Sequence, residues 1–169
     1  ESAAGINNAI RIARASDRLT ALMFGPGDYA ASIGVGDAVE TTEVGRRWEY
    51  ARSRLVNAAK EVGVKAIDGM FPGTDDVDDF RRICRRARAL GFDGKTVVHP
   101  NQIQVANDIF TPNPREVKRA RRIYDAYVES GGDDHGTVKV NGRIIDEETF
   151  QMAREIVEKA EEAGELAED

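Results

Sequence analysis

The chain of 169 residues holds one cysteine, two histidines and one tryptophan, and aromatic residues make up only 7% of it. The lone Cys84 excludes a disulfide framework and any multi-cysteine metal site, and makes a reducing, cytoplasmic setting the natural expectation. No apolar run approaches the ~18–20 residues that cross a bilayer, and no basic-then-apolar export signal opens the chain, so no membrane partner is expected. Basic residues are in deficit. With 24 against 30 acidic ones the net charge is −6, which argues against non-specific nucleic-acid binding as a main role. Five prolines and 16 glycines in a chain that is 41% hydrophobic exclude collagen-like and disordered classes and predict compact, soluble protein.

What the chain does contain is a repeat of short apolar runs closed by turn residues. Residues 19–24 end at Gly25-Pro26-Gly27, 64–67 at Asp68-Gly69 and 96–98 at His99-Pro100, and each run predicts a buried strand. Amphipathic stripes lie between them. Trp48, Ala51, Leu55, Ala59 and Val62 mark a helix over 46–62, and Val77, Phe80, Ile83, Cys84 and Ala87 mark another over 76–90. The second helix starts acidic and turns arginine-rich, which suits the helix macrodipole and reads as a solvated face; no aromatics interleave as a nucleic-acid surface would require. Cys84 falls on the inward stripe, so a buried inert thiol is expected.

Strands alternating with helices imply βαβ units and a parallel sheet with right-handed crossovers. Three strands alone would leave long unpaired edges, and the chain opens at Glu1 without Met, so further strands are expected upstream. The predicted fold class is α/β, the C-terminal part of a TIM (β/α)8 barrel. Residues 1–112 would supply the last strands and helices, with 2–15 a helix following a strand that ends near Glu1.

Residues 113–169 have a different character. A short helix over 103–110 precedes them; Asn113 as N-cap and Pro114 at the first helical position then start a helix carrying Val117, Ala120, Ile123, Tyr124 and Tyr127 inward. A turn-rich stretch over 131–136 leads to two alternating apolar runs joined by Asn141-Gly142, a strong hairpin signal. A last helix over 147–164, with Phe150, Ala153, Ile156, Val157 and Ala160 on one stripe, ends in an acidic tail expected to fray.

In parallel α/β folds ligands bind at the carboxyl ends of strands, where this chain places Glu1, Asp28, Asp68 and His99. Singly, each has a bland explanation: Asp28 caps a short helix, Asp68 stabilises the turn before Gly69, His99 is a satisfied residue ahead of Pro100. Together, Glu1 and Asp28 from adjacent strand ends can converge on one hard cation, since octahedral Mg²⁺ takes one or two protein carboxylates plus waters and substrate oxygens. Gly25-Pro26-Gly27 is expected to supply an unusual backbone that turns Asp28 over the sheet.

The runs ESAAGI at 1–6, FGPGDY at 24–29, AIDG at 66–69, GFDGKTVVHPNQI at 91–103 and VNGRIID at 140–146 resemble the citrate lyase β-subunit-like group of the HpcH/HpaI aldolase superfamily, which includes malyl-CoA, β-methylmalyl-CoA and citramalyl-CoA lyases. The resemblance implies a lyase that uses Mg²⁺, or Mn²⁺, to cleave a CoA thioester reversibly into an acyl-CoA and an α-keto acid such as glyoxylate or pyruvate, with CoA entering as part of the substrate. It implies Glu1 and Asp28 as metal ligands, Gly27 and Asp68 on the substrate side, and Asp146 of a C-terminal lid as the acid/base delivered to an adjacent subunit of a homotrimer or homohexamer. The family's enolate-stabilising Arg has no counterpart among these residues, and if they were the whole protein no activity would be expected. Malate synthase chemistry, a citrate lyase β subunit and an incomplete barrel acting as a binding or assembly module stand as alternatives.

Overall fold

The computed structural model describes residues 1–36, 48–130, 137–140 and 142–164. The chain divides into two compact units, Glu1–Phe110 and Thr111–Asp169.

In the first unit, β1 (Ala21–Met23), β2 (Lys65–Asp68) and β3 (Gly94–Lys95) form a parallel sheet in that order. Leu22 pairs with Ala66, and Asp68 with Lys95. The helices are α1 (Ala3–Asn7), α2 (Ala9–Ala13), α3 (Pro26–Ser32), α4 (Glu49–Glu61), α5 (Val77–Leu90) and α6 (Asn101–Phe110). This is the α/β architecture with parallel strands that the alternating pattern predicts, though the described strands form an open sheet and no closed barrel.

Three expectations need correction. The helix expected over 2–15 is broken at Asn8, whose side-chain amide donates to the Ala4 carbonyl at 2.8 Å and competes with the regular ladder. Arg54 donates to the carbonyls of Ile6 and Asn7 and so satisfies the groups around the break. The third strand lies at Gly94–Lys95 instead of 96–98. After Thr96 donates to the Asp68 carbonyl at 2.9 Å, β2 has ended, and the Val98 amide turns to the Gln102 side chain at 3.0 Å instead. Nor are the strands buried on both faces: Ala66 and Asp68 point into the core, while Lys65 is exposed and Met23 is 60% exposed.

One core cluster gathers Ile6, Phe24, Ala30, Trp48, Leu55, Ala66 and Phe92 between the sheet and α4; a second joins Phe71, Phe80, Ile83, Cys84, Val105 and Ile109 between α5 and α6. Cys84 is free and buried, as its stripe predicts. Helix α5 starts where Asp76 accepts the Asp79 amide at 2.8 Å and stops at Gly91, whose φ of 98° is open mainly to glycine. Directly after it, Asp93 closes the sheet: its carboxylate accepts from the Ala66 amide at 2.9 Å and from Lys60 Nζ at 2.7 Å.

In the second unit, Asn113 caps α7 (Pro114–Glu129) in a full capping box with Glu116. The antiparallel strands β4 (Thr137–Val140) and β5 (Arg143–Asp146) pair as the hairpin signal predicts, with Gly142 at a φ of 79°; Asn141 and the stretch 131–136 lie outside the described residues. Helix α8 (Glu147–Glu162) packs on α7 through Ala120, Ala153 and Val157, and Phe150 stacks on Tyr127 with centroids 4.3 Å apart. The start of the helix expected from 46, and the tail over 165–169, are likewise outside the described residues.

Phe80 is 0% exposed at the centre of the second cluster. Its replacement by alanine should destabilise the first unit by about 3–5 kcal/mol in a urea titration, through lost burial and an unfilled cavity.

Candidate functional site

The carboxyl ends of β1, β2 and β3 bring together most of the residues that sequence reasoning singled out. The Gly25-Pro26 turn follows β1, Gly69 follows β2, and Lys95 closes β3.

Gly25 has φ −102° and ψ 90°, a conformation any residue adopts, so the unusual backbone expected of Gly25-Pro26-Gly27 is absent. A side chain at Gly25 would meet Glu1 Cγ at 2.6 Å and Glu1 Oε1 at 3.3 Å. Glu1 therefore lies directly across the turn that opens α3, with Pro26 at its first position and Asp28 in its first turn. Both carboxylates are exposed, and among the described residues neither has a hydrogen-bond or ion-pair partner. Among the described residues nothing lies within 4 Å of the position a Gly27 side chain would take, next to Asp28.

No group of three metal-ligating side chains occurs among the described residues; a Mg²⁺ ion held at this turn would take Glu1 and Asp28 as protein ligands and complete its octahedron with water and substrate oxygens.

Asp68 has a different environment. It is 1% exposed, and its two oxygens accept from Arg52 Nε at 3.0 Å and Arg52 Nη2 at 2.9 Å, in the parallel geometry of a guanidinium fork. Lys95 Nζ adds a third bond to Asp68 at 2.8 Å and reaches the Gly69 carbonyl at 2.5 Å. Arg52 also lies over the Phe92 ring, 5.4 Å from its centroid. Both oxygens of Asp68, at the end of β2, are thus engaged by cations of the fold.

Sequence reasoning missed Arg52 and Lys95. Arg52 sits on the predicted apolar stripe side of α4, four residues after Trp48, and that placement was the available signal for a buried cation. It also missed Gln102, 1% exposed, whose amide donates to the carbonyls of Phe71 and Gly73 at 3.1 and 3.2 Å. Together with Asn101, which donates to the Thr74 carbonyl at 2.5 Å, it staples the loop after β2 to the start of α6. His99 is exposed; its Nδ1 accepts from the Asn101 amide at 3.4 Å and its carbonyl accepts from Gln102, a structural turn ahead of α6.

Asp146 belongs to the second unit, where it is the N-cap of α8. It accepts from the Thr149 hydroxyl at 2.6 Å and the Thr149 amide at 2.9 Å, and the hydroxyl bond above all holds its carboxyl below the usual aspartate value. Neighbouring Glu147 is also lowered, chiefly by the Tyr127 hydroxyl that donates to it at 2.6 Å. The depressed Asp146 value means that its contribution to folding is complete above the ordinary value of 3.8 and is lost as pH falls through the folded-state value.

Two outcomes follow from these contacts. Asp68→Ala leaves two cations buried without their carboxylate and should cost about 3–5 kcal/mol of stability in a denaturant titration; a change within about 0.5 kcal/mol would contradict the buried cluster. Thr149→Val removes the stronger of the two bonds to Asp146, so an NMR titration of the Asp146 carboxyl should read a higher pKa than in the parent protein.

Comparison with known proteins places this geometry among relatives. The HpcH/HpaI aldolase/citrate lyase profile matches residues 1–100. The L-malyl-CoA/beta-methylmalyl-CoA lyase of Cereibacter sphaeroides is 34% identical over 95% of this chain and 55% of its own length. The citrate lyase subunit beta of Escherichia coli is 31% identical over 97% of this chain and 53% of its own. The chain thus spans about half the length of the curated relatives it matches. Among solved structures, protein CitE from Mycobacterium tuberculosis in complex with magnesium, acetoacetate and coenzyme A superposes with a TM-score of 0.70 at 27% identity, covering 95% of this chain and 58% of that one.

Proposed function

The chain belongs to the HpcH/HpaI aldolase/citrate lyase family, and from that premise we propose that it acts in a Mg²⁺-dependent carbon–carbon lyase, reversibly cleaving a malyl-CoA or citramalyl-CoA type thioester into an acyl-CoA and glyoxylate or pyruvate. The observation that carries this reading is the pair of unpartnered carboxylates at one turn, Glu1 seated on Gly25 and Asp28 just beyond it. A relative solved with magnesium, acetoacetate and coenzyme A supports the same ligand chemistry.

Glu1 and Asp28 would hold the metal ion. When bound, Mg²⁺ would polarise the substrate's hydroxyl oxygen and carboxylate, making the hydroxyl easier to deprotonate. The open space at Gly27 gives the keto-acid end of the substrate room beside Asp28. Asp68, Arg52 and Lys95 keep the strand ends in place beneath it. Asp146 would take a proton from the acyl-CoA methyl in the condensing direction and return it on cleavage, loosening its bond from the Thr149 hydroxyl as it does so. In this reading the hairpin and α8 form a lid that excludes water from the departing enolate and serves the site of an adjacent subunit in a homotrimer or homohexamer.

A second reading, a citrate lyase β subunit, is supported by the 31% identity to that protein of E. coli. Assay of the protein with Mg²⁺ tests the first reading, and oxaloacetate formed from a citryl thioester would mark the second. Malyl-CoA or citramalyl-CoA with Mg²⁺ should yield glyoxylate or pyruvate plus intact acyl-CoA; release of free CoA instead would mark synthase-type thioester hydrolysis. Glu1→Gln and Asp28→Asn should each lower kcat/KM more than about a hundredfold, and Asp146→Asn should lower kcat about 10²–10⁴-fold. Full activity in Asp28→Asn, or a fully active monomer by light scattering, would remove the metal site or the shared lid respectively.

A further inference from the structure

The buried cluster and the exposed carboxylates are joined by a continuous line of contacts. Lys95, whose side chain is 0% exposed, has its ammonium on Asp68 at 2.8 Å and on the Gly69 carbonyl at 2.5 Å. Gly69 in turn has no room for a side chain. A Cβ there would meet the Phe24 carbonyl oxygen and Pro26 Cγ, both at 2.8 Å, and would press still closer on Pro26 Cδ. Pro26, itself buried, opens the helix that carries Asp28, and the adjoining Gly25 is the surface on which Glu1 lies. The Gly25 carbonyl accepts the Tyr29 amide at 3.0 Å, so a shift of the turn moves the first turn of α3 with it.

We propose that Lys95 is a positioning residue for the metal-holding turn: by fixing Gly69 against Pro26 it sets where Asp28 and Glu1 stand relative to one another. The proposal rests on the reading of Glu1 and Asp28 as metal ligands. Lys95 suits the task because three ammonium donors can hold a carboxylate and a carbonyl at once. Gly69 suits it because direct backbone-to-proline contact transmits a displacement with no flexible side chain to absorb it. Asp68 and Arg52 then form the anchor against which Lys95 works, which gives the buried cluster a purpose that stability alone does not supply, since well-packed apolar groups would hold a strand end as firmly.

The test uses the full chain, Mn²⁺ alone as probe, and two readouts: Mn²⁺ affinity by calorimetry and hydrogen exchange at the Tyr29 amide. Asp28→Asn and Glu1→Gln should weaken Mn²⁺ binding and thereby establish the site. Lys95→Met and Gly69→Ala should each weaken it about tenfold to a hundredfold, as loss of an outer-shell support does, and speed exchange at Tyr29. Ile83→Val lies in the other core cluster and lowers thermal stability without touching the turn, so it should leave both readouts within about twofold of the parent. If the parent chain does not bind Mn²⁺, or Asp28→Asn binds it undiminished, the metal reading fails, and Tyr29 exchange still decides the positioning. A folded Lys95→Met with unchanged Mn²⁺ affinity and unchanged Tyr29 exchange would overturn the proposal. Should Lys95→Met not fold, Gly69→Ala decides by the same two measurements.

Discussion

The strand ends of this protein depend on one buried interaction, the carboxylate of Asp68 held between the guanidinium of Arg52 and the ammonium of Lys95. Each member comes from a different element: Asp68 ends β2, Lys95 ends β3, and Arg52 projects from the helix that covers the sheet. Ion pairs of this kind return little net stability once desolvation is counted, but they have one satisfactory geometry. That geometry ties the ends of β2 and β3 to α4 within the strand order β1-β2-β3.

Around this centre the loops that carry polar chemistry are held by side-chain amides and by missing side chains. Gln102 and Asn101 fasten the loop after β2, and Asp93 with Lys60 closes the sheet on the amino-terminal side of β3. Gly69 is a site of close approach to Pro26 and the Phe24 carbonyl, not of a rare dihedral angle. Among the described residues Glu1 and Asp28, on either side of the Gly25-Pro26 turn, have no protein partner for their carboxylates.

The second unit uses side-chain caps in the same way. Asp146 links the hairpin to α8 and ends with a carboxyl more acidic than usual, because Thr149 donates to it twice.

Periodicity and turn chemistry alone determined that strands alternate with helices in parallel order, that Asn113 and Pro114 start α7, that a hairpin turns near Gly142, and that Cys84 is buried. These are local matters, decided by neighbours within a few residues. Motif runs also identified Glu1, Asp28 and Asp146 as the residues to watch. The partners of Asp68 were beyond such reading, because Arg52 and Lys95 lie 16 and 27 residues from it in opposite directions along the chain. The extent of β3, set by where β2 stops offering carbonyls, and the break at Asn8, satisfied by Arg54 from α4, depend on contacts of the same long range. Only folding brings such groups within hydrogen-bond distance, and a buried charge takes its role from the opposite charge it meets there.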